Sequence, residues 1–166
     1  MQPEATLGRT GSVAAHPLSE LLACPPSIGS LLTNSAQTIE FDTGEAVFQQ
    51  NTLCRGLYVV VSGSFVRKTE RKEVRLTLGL ARAGDLVELA AALGDGLHTY
   101  TLTAQTPGSV LLLPMEALRR AFQAYAPLRM QLLEELAREV SRAYSACCVA
   151  HMAGMRHRGT AAAARN

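Results

Sequence analysis

The cysteine and histidine side chains are the residues of this sequence that could bind a metal. Cys147 and His151 stand four residues apart, so on a helix they share one face and could supply two ligands, which a second copy would raise to four. Cys148 follows directly and cannot join that face. The competing interpretation is a buried thiol in a helix contact beside a frayed chain end. The sequence favours that interpretation, and we predict no metal site.

Glu88 is a candidate acid catalyst, but the groups that such chemistry needs do not accompany it. The sequence offers no carboxylate paired with it, no nucleophile and base pair, and no phosphate-binding P-loop. The charged run at residues 67–72 (RKTERK) is typical of a solvated hairpin tip. The sequence therefore does not predict an enzyme.

The composition is that of a folded cytoplasmic domain with reduced cysteines. Hydrophobic residues make up 48% of the 166 residues and the net charge is +2. No apolar run reaches the roughly 20 residues that span a bilayer, and the N-terminus lacks the apolar centre of a signal peptide. Four cysteines without a CxxC pair are too few for a disulfide scaffold. The absence of Trp and an aromatic content of 5% disfavour a base-stacking surface for nucleic acid.

Short strands are predicted for the middle of the chain. Residues 1–16 show no regular period and are expected to be a mobile lead-in, whereas residues 16–32 suit two short helices separated by a proline break. From residue 38 to residue 113, short apolar or alternating segments lie between turns, and residues 74–80 (VRLTLGL) are expected to bury one face. This spacing predicts a small sandwich or jelly roll.

A helical period replaces the strand pattern after Pro114. Residues 115–125 place apolar side chains on one face, and Pro127 ends that helix and opens a longer one, predicted over residues 127–152. Apolar residues recur along the longer helix at heptad spacing. This seam consists of Leu133, Leu136, Val140, Ala143 and Cys147. We therefore predict a homodimer that pairs along it.

Three local motifs lie within the predicted strands: residues 44–48 (GEAVF), 57–63 (LYVVVSG) and 84–89 (GDLVEL). In their order and spacing they resemble the cyclic-nucleotide-binding sensor domain of Crp/Fnr-type transcription regulators. The resemblance implies an α+β, mainly β fold: a double-stranded β-helix (jelly roll) with short N-terminal helices over residues 17–126, followed by the long dimerisation helix.

In nucleotide-binding members of that family, the segment after the Glu forms a phosphate-binding cassette. An Arg neutralises the cyclic phosphate, backbone N–H groups hold it, and the Glu accepts from the ribose hydroxyl. This chain keeps Glu88 but has His98 at the position of the Arg, Thr99 where Ser or Thr is usual, and Val87 where Gly is expected. Because His cannot make the bidentate contact of Arg, a different ligand or no ligand is favoured over a cyclic nucleotide. The candidate ligand-binding residues are Glu88, Leu89, His98, Thr99, Tyr144 and Ser145.

Residues 153–166 resemble the junction to a DNA-binding domain. A hinge is predicted at residues 154–160, and residues 160–165 (TAAAAR) resemble the start of the winged helix-turn-helix that follows in this family. The chain is then either a fragment or a natural sensor-only protein, and DNA binding is expected only if the parent protein continues into that domain. The alternative function is a ligand-free dimeric interaction scaffold, whose pocket Val87, His98 and Tyr144 fill.

Overall fold

The computed structural model of the protein describes residues 18–71 and 74–163, with side chains described for residues 18–70, 74–145 and 148. The expected lead-in at residues 1–16 and the side chains of Cys147 and His151 lie outside this part. In chain order the elements are α1 (Leu18–Leu21), α2 (Pro26–Ser35), β1 (Gln37–Phe41), β2 (Ala46–Phe48), β3 (Gly56–Ser62), β4 (Ser64–Arg71), β5 (Val74–Arg82), β6 (Leu86–Val87), α3 (Leu89–Leu93), β7 (Thr101–Ala104), β8 (Gly108–Pro114), α4 (Met115–Ala124) and α5 (Pro127–Ala163).

The strands form two four-stranded antiparallel sheets that share one core. Their orders are β1-β8-β3-β6 and β2-β7-β4-β5, so consecutive strands lie in different sheets except for β4 and β5, which form a hairpin. Apolar side chains of both sheets, Phe65 and Val110 among them, meet in a single buried cluster. This confirms the predicted jelly roll with short N-terminal helices and a long C-terminal helix.

The continuous apolar run of β3 follows from burial on both of its faces. Tyr58 and Val60 point into the core between the sheets. Leu57 and Val59 pack instead against the helices, in a second core built from α1, α2, α4 and the start of α5. Because both faces are covered, the alternation typical of a half-exposed strand is absent here.

Gly63 makes the tight turn between β3 and β4. Its φ is +78°, in the region that favours glycine, and an added Cβ would lie 2.7 Å from the carbonyl oxygen of Pro107. The passage from one sheet to the other is therefore made at a residue that no side chain could replace without moving the neighbouring loop.

The apolar face of β5 differs from the sequence expectation. Val74, Leu76 and Leu78 are 54%, 54% and 53% exposed, and Leu80 is 38% exposed. β5 is the edge strand of its sheet, and no other element of the described chain covers this stripe. The prediction that these residues face the core was wrong.

The long helix continues past the predicted hinge. α5 runs from Pro127 to Ala163, 37 residues, without the break expected near residues 154–160 or an end at residue 152. A glycine inside a helix costs only about 1 kcal/mol relative to alanine, so two separate glycines in an alanine-rich segment do not end it. Among the described residues, no helix combines the length and the apolar character needed to cross a membrane.

Candidate functional site

A polar cluster, which we call the cassette corner, is formed by Glu88, His98 and Thr99 together with the rings of Phe48 and Tyr100. Glu88 lies between β6 and α3 with a left-handed backbone, φ +70°. Residues other than glycine rarely adopt this conformation, and such strain concentrates where a site must hold a side chain in place. The Tyr100 hydroxyl accepts from the Glu88 backbone N–H at 3.2 Å, which anchors this turn.

The carboxylate of Glu88 is already bound by its own chain. Thr99 donates its backbone N–H to Oε1 and Oε2 at 3.3 and 3.4 Å, and its hydroxyl to Oε1 at 3.1 Å. His98 Nδ1 lies 3.4 Å from Oε2, without the alignment of a hydrogen bond. A ribose hydroxyl would have to displace Thr99 to reach this carboxylate, at the expense of bonds already made.

His98 is a packed core residue. Its ring stacks on Phe48 with a centroid distance of 3.9 Å and an interplanar angle of 3°, and Tyr58 lies 6.0 Å away. The His98 side chain is 1% exposed. The position where the family resemblance implies an anion-binding Arg is therefore closed by stacked aromatic groups.

A cleft of about 620 Å³, which we call the α5 cleft, lies next to the cassette corner. It is bounded by α1, the segment from Gly84 to Leu89 and one face of α5. Its lining includes Arg67, Leu89, Gln131, Leu132, Glu135 and Glu139, but not Glu88, His98 or Thr99. Its volume is in the range of small-molecule sites. The open space and the cassette residues are thus on separate surfaces.

Arg67 projects from β4 toward this cleft and is poorly paired. Its Nη1 donates to the Leu80 carbonyl at 3.2 Å, and its Nη2 lies 3.9 Å from Glu139 Oε1. Its guanidinium carbon is 5.9 Å from the centre of the Tyr100 ring. The Nε atom is buried without a hydrogen-bond partner in the described chain. Burial raises the pKa of Tyr100 to about 12, although the charge of Arg67 and a side-chain hydrogen bond with Arg67 act in the opposite direction.

The acidic residues of α5 are paired mainly within the helix. Glu135 accepts from Arg142 at 2.8 Å and from Arg138 at 3.1 Å, and Glu134 lies 3.6 Å from Arg138. Glu139 differs, because burial raises its pKa, while the charges of Arg67 and Arg142 act in the opposite direction. Glu139 is therefore the acidic group of this face whose charge is held least firmly.

The predicted ligand residues divide into three groups. Glu88, His98 and Thr99 come together in the cassette corner, while Leu89 is buried and lines the α5 cleft. The last two predicted residues, Tyr144 and Ser145, do not join either site. Tyr144 is 71% exposed and Ser145 is exposed, because α5 has by then extended past the roll. Filling of the pocket by Tyr144, as the scaffold alternative required, is contradicted by this exposure.

The predicted dimer seam is uneven in the single chain. Leu133 and Leu136 are half-buried, and Leu136 packs against the helical core of its own roll. Val140 is 59% exposed and Ala143 is exposed. The Cys147 side chain lies outside the described residues.

Sequence reasoning missed Arg67 and Gln131 as site residues. A signal for Arg67 was present, since it stands two residues after the buried Phe65 and strand alternation puts both on one face. Grouping Arg67 with the charged run that follows it concealed this. For Gln131, by contrast, nothing in the local pattern separates it from a solvent-facing helical residue.

Within the side chains that the structure describes, no three metal-ligating residues lie together.

The double-sheet roll, the short helix after a buried Glu, and the long helix across a cleft define a cyclic-nucleotide-binding-like sensor fold. The sequence matches the cyclic nucleotide-binding domain family over residues 38–125, more than half of the chain. The protein belongs to this family. No curated protein sequence matches the chain at a significant level.

Solved structures of transcription regulators share the fold. The sensor domain of the regulator DNR from Pseudomonas aeruginosa is 21% identical with a TM-score of 0.62, over 73% of this chain and 91% of that one. The Catabolite Activator Protein of Thermus thermophilus is 23% identical with a TM-score of 0.67, over 81% and 63%. The c-di-GMP responsive regulator CLP from Xanthomonas campestris is 20% identical with a TM-score of 0.59, over 72% and 59%. At these identities the likeness establishes the fold alone.

Proposed function

We propose that this protein is the ligand-sensing and dimerisation domain of a Crp/Fnr-type transcription regulator, and that its ligand is not cyclic AMP. The family match and the similarity to regulator sensor domains support the first part. One of those similar proteins is described as responsive to c-di-GMP, so the fold is compatible with more than one ligand. DNA binding belongs to this function only if the parent protein carries a helix-turn-helix.

The observation that carries the ligand proposal is the contrast between a closed cassette and an open cleft. Glu88 is bound by Thr99, and His98 is stacked on Phe48, so the groups that would hold a cyclic phosphate are engaged. About 620 Å³ nevertheless remains between the roll and α5. The filled cassette is what the scaffold alternative expects, but the separate cleft beside α5 offers a ligand a place, and on that ground we favour the sensor over the scaffold.

The dimer is proposed from exposed apolar surface. Val140 of the predicted seam is 59% exposed, Tyr144 beside the seam is 71% exposed, and the β5 stripe adds a second apolar surface. Apolar groups at heptad spacing on an exposed helix are the pattern of a paired helix. A ligand bound in the cleft would contact α5 directly and so bias the arrangement of the two helices.

Titration and sedimentation would test these two parts. We expect isothermal titration calorimetry to show no binding of cyclic AMP at micromolar concentrations, and a tight complex would refute our ligand proposal. We expect sedimentation equilibrium to show a dimer that Val140→Glu disrupts. Met130→Glu is the matched control, since Met130 is 60% exposed on the same helix but off the seam. A wild-type monomer at all concentrations, or a dimer indifferent to Val140→Glu, would refute the dimerisation proposal.

A further inference from the structure

Two buried polar atoms of the α5 cleft lack partners, one a donor and the other an acceptor. Arg67 Nε and Gln131 Oε1 make no hydrogen bond within the described chain. Both residues line the cleft. Because buried polar groups in native proteins are almost always satisfied, such a pair in one cavity indicates a molecule that supplies the complementary acceptor and donor.

The free edge of Arg67 has the shape of a carboxylate receptor. In a guanidinium group, Nε–H and one N–H of Nη2 point the same way and together match the two oxygens of a planar anion. Nη1, on the other edge, is engaged by the Leu80 carbonyl. Within the described side chains, Glu139 is the acid that pairs with this edge, at 3.9 Å from Nη2, beyond the range of a charge-assisted hydrogen bond.

The neighbouring charges limit the charge of the ligand. Arg138 and Arg142 pair closely with Glu134 and Glu135, whereas the ion pair of Arg67 with Glu139 is longer, at 3.9 Å. Asp85 is engaged by the Arg82 backbone N–H at 2.9 Å but keeps its carboxylate in the lining. One available cation among several carboxylates favours a monoanion over a doubly charged phosphate.

The rest of the lining sets the body of the ligand. Leu86 and the buried side chains of Leu22, Leu89 and Leu132 form the apolar part of the cleft wall. Gln131 and Glu139 are eight residues apart on α5, so the two polar ends are separated by about 12 Å along the helix. The cleft therefore suits an elongated molecule with an apolar middle.

We propose that the α5 cleft binds a carboxylic acid with an apolar body, its carboxylate paired with Arg67 and its far end donating a hydrogen bond to Gln131. This rests on the proposed sensor function and names its ligand class. The incoming carboxylate takes the place of Glu139 beside Arg67. Ligand binding is thereby coupled to α5, because Glu139 belongs to that helix.

The test is calorimetric titration of the full chain with octanoate, with ω-hydroxyoctanoate and with the uncharged octanamide. We expect octanoate to bind, ω-hydroxyoctanoate to bind more tightly through Gln131, and octanamide to bind at least tenfold more weakly, because a hydrogen bond to a charged group is lost. Cyclic AMP and cyclic GMP are titrated in parallel as the alternative anions.

Three variants assign the effect to Arg67. Arg67→Met should weaken octanoate binding roughly tenfold or more, and Arg67→Lys should weaken it less, since the charge remains but the bidentate edge is lost. Glu139→Gln should tighten binding, a gain that loss of folding cannot mimic. Arg75→Met is the matched control, because Arg75 is 83% exposed and pairs with Glu70 outside the cleft.

The failures can be told apart. Octanoate that binds wild type and Arg67→Met equally, or no carboxylate that binds at all, overturns this inference. Tight binding of a cyclic nucleotide that Arg67→Met leaves unchanged overturns it too, while keeping the sensor function but correcting its ligand. Absence of binding by every probe together with a monomeric chain overturns both the inference and the proposed function.

Discussion

The cassette corner and the α5 cleft are neighbours but use their polar groups in opposite ways. In the corner, the Glu88 carboxylate accepts from the Thr99 N–H and the Thr99 hydroxyl, and the His98 ring packs on Phe48, with its Nδ1 lacking a hydrogen bond but 3.4 Å from the Glu88 carboxylate. In the cleft, Arg67 Nε and Gln131 Oε1 are buried and unsatisfied. A satisfied buried network rigidifies a fold, whereas an unsatisfied one reduces stability unless something completes it.

The proposed function assigns different tasks to the two regions. Where the family resemblance implies a phosphate site, the described side chains of Glu88 and His98 are engaged by Thr99 and Phe48. The unpartnered atoms of the cleft lie on the adjacent wall, on β4 and α5. The comparison predicts that corner substitutions reduce stability and that cleft substitutions change binding instead.

Phe48→Ala is expected to have the largest effect. Phe48 is 7% exposed and contacts His98, Tyr58 at 5.1 Å and Tyr100 at 5.7 Å. Removing a buried aromatic ring leaves a cavity and should lower the free energy of unfolding by about 3–5 kcal/mol. Urea denaturation followed by circular dichroism measures this.

The control for Phe48→Ala is Leu53→Ala, because Leu53 is 75% exposed and should change the same free energy by less than about 0.5 kcal/mol. A loss at Phe48 no larger than that of the control would show that the ring stack contributes little, and the structural role of the corner would be wrong.

Glu88→Ala is expected to follow in size. The substitution leaves the Thr99 N–H and hydroxyl without their acceptor and removes the acid beside His98, which should lower the free energy of unfolding by about 2–3 kcal/mol. Glu116→Ala is the matched control, since Glu116 is 71% exposed and makes only a surface pair with Arg119. Equal thermal denaturation midpoints for the two variants would mean that Glu88 is free to serve a ligand.

The roll and its helices could be predicted from the sequence because they follow from local signals: the spacing of apolar residues and the positions of prolines. The proline break after α1, the two-sided burial of β3 and the start of α5 at Pro127 all follow from local residue types. The exposed face of β5 could not be predicted, since alternation reports an apolar face but not whether anything covers it. The extent of α5 was also missed, because glycine lowers helix stability without ending a helix.

The candidate site was only half predictable for a related reason. Glu88, His98 and Thr99 could be located from their spacing, but whether they face a ligand or one another depends on rotamers and packing that the sequence does not contain. Arg67 pairs with Glu139 across more than seventy positions, and such a contact becomes visible only when β4 and α5 are placed together.

Arg67→Met tests the cleft in the same way as Glu88→Ala tests the corner. The substitution removes a hydrogen bond to the Leu80 carbonyl, a long ion pair, and a hydrogen bond and ring contact with Tyr100, while the methionine stem keeps the packing. We expect the free energy of unfolding to change by less than about 1 kcal/mol. Urea denaturation beside Glu88→Ala measures the contrast, and a loss as large as that of Glu88→Ala would make Arg67 a structural residue of the corner.

Glu139→Gln should give the smallest effect, visible only as a change with pH. Burial raises the pKa of Glu139 in the folded chain above its unfolded value, so the folded state holds this proton more strongly. The resulting contribution to stability is complete below the unfolded pKa and is lost as pH rises through the folded pKa. Glutamine does not ionise, so the variant should gain stability over wild type as pH rises from about 4 to about 7.

The size and the control follow from the exposure of the side chain. Glu139 is 37% exposed, so solvent screening limits the gain to a fraction of a kcal/mol. Denaturation midpoints measured across this pH range should diverge for Glu139→Gln but not for Glu134→Gln, whose side chain is 64% exposed and pairs with Arg138. Parallel curves for wild type and Glu139→Gln would mean that the pKa of Glu139 is not raised by burial next to Arg67. The proposed exchange of Glu139 for a ligand carboxylate would then lose its physical basis.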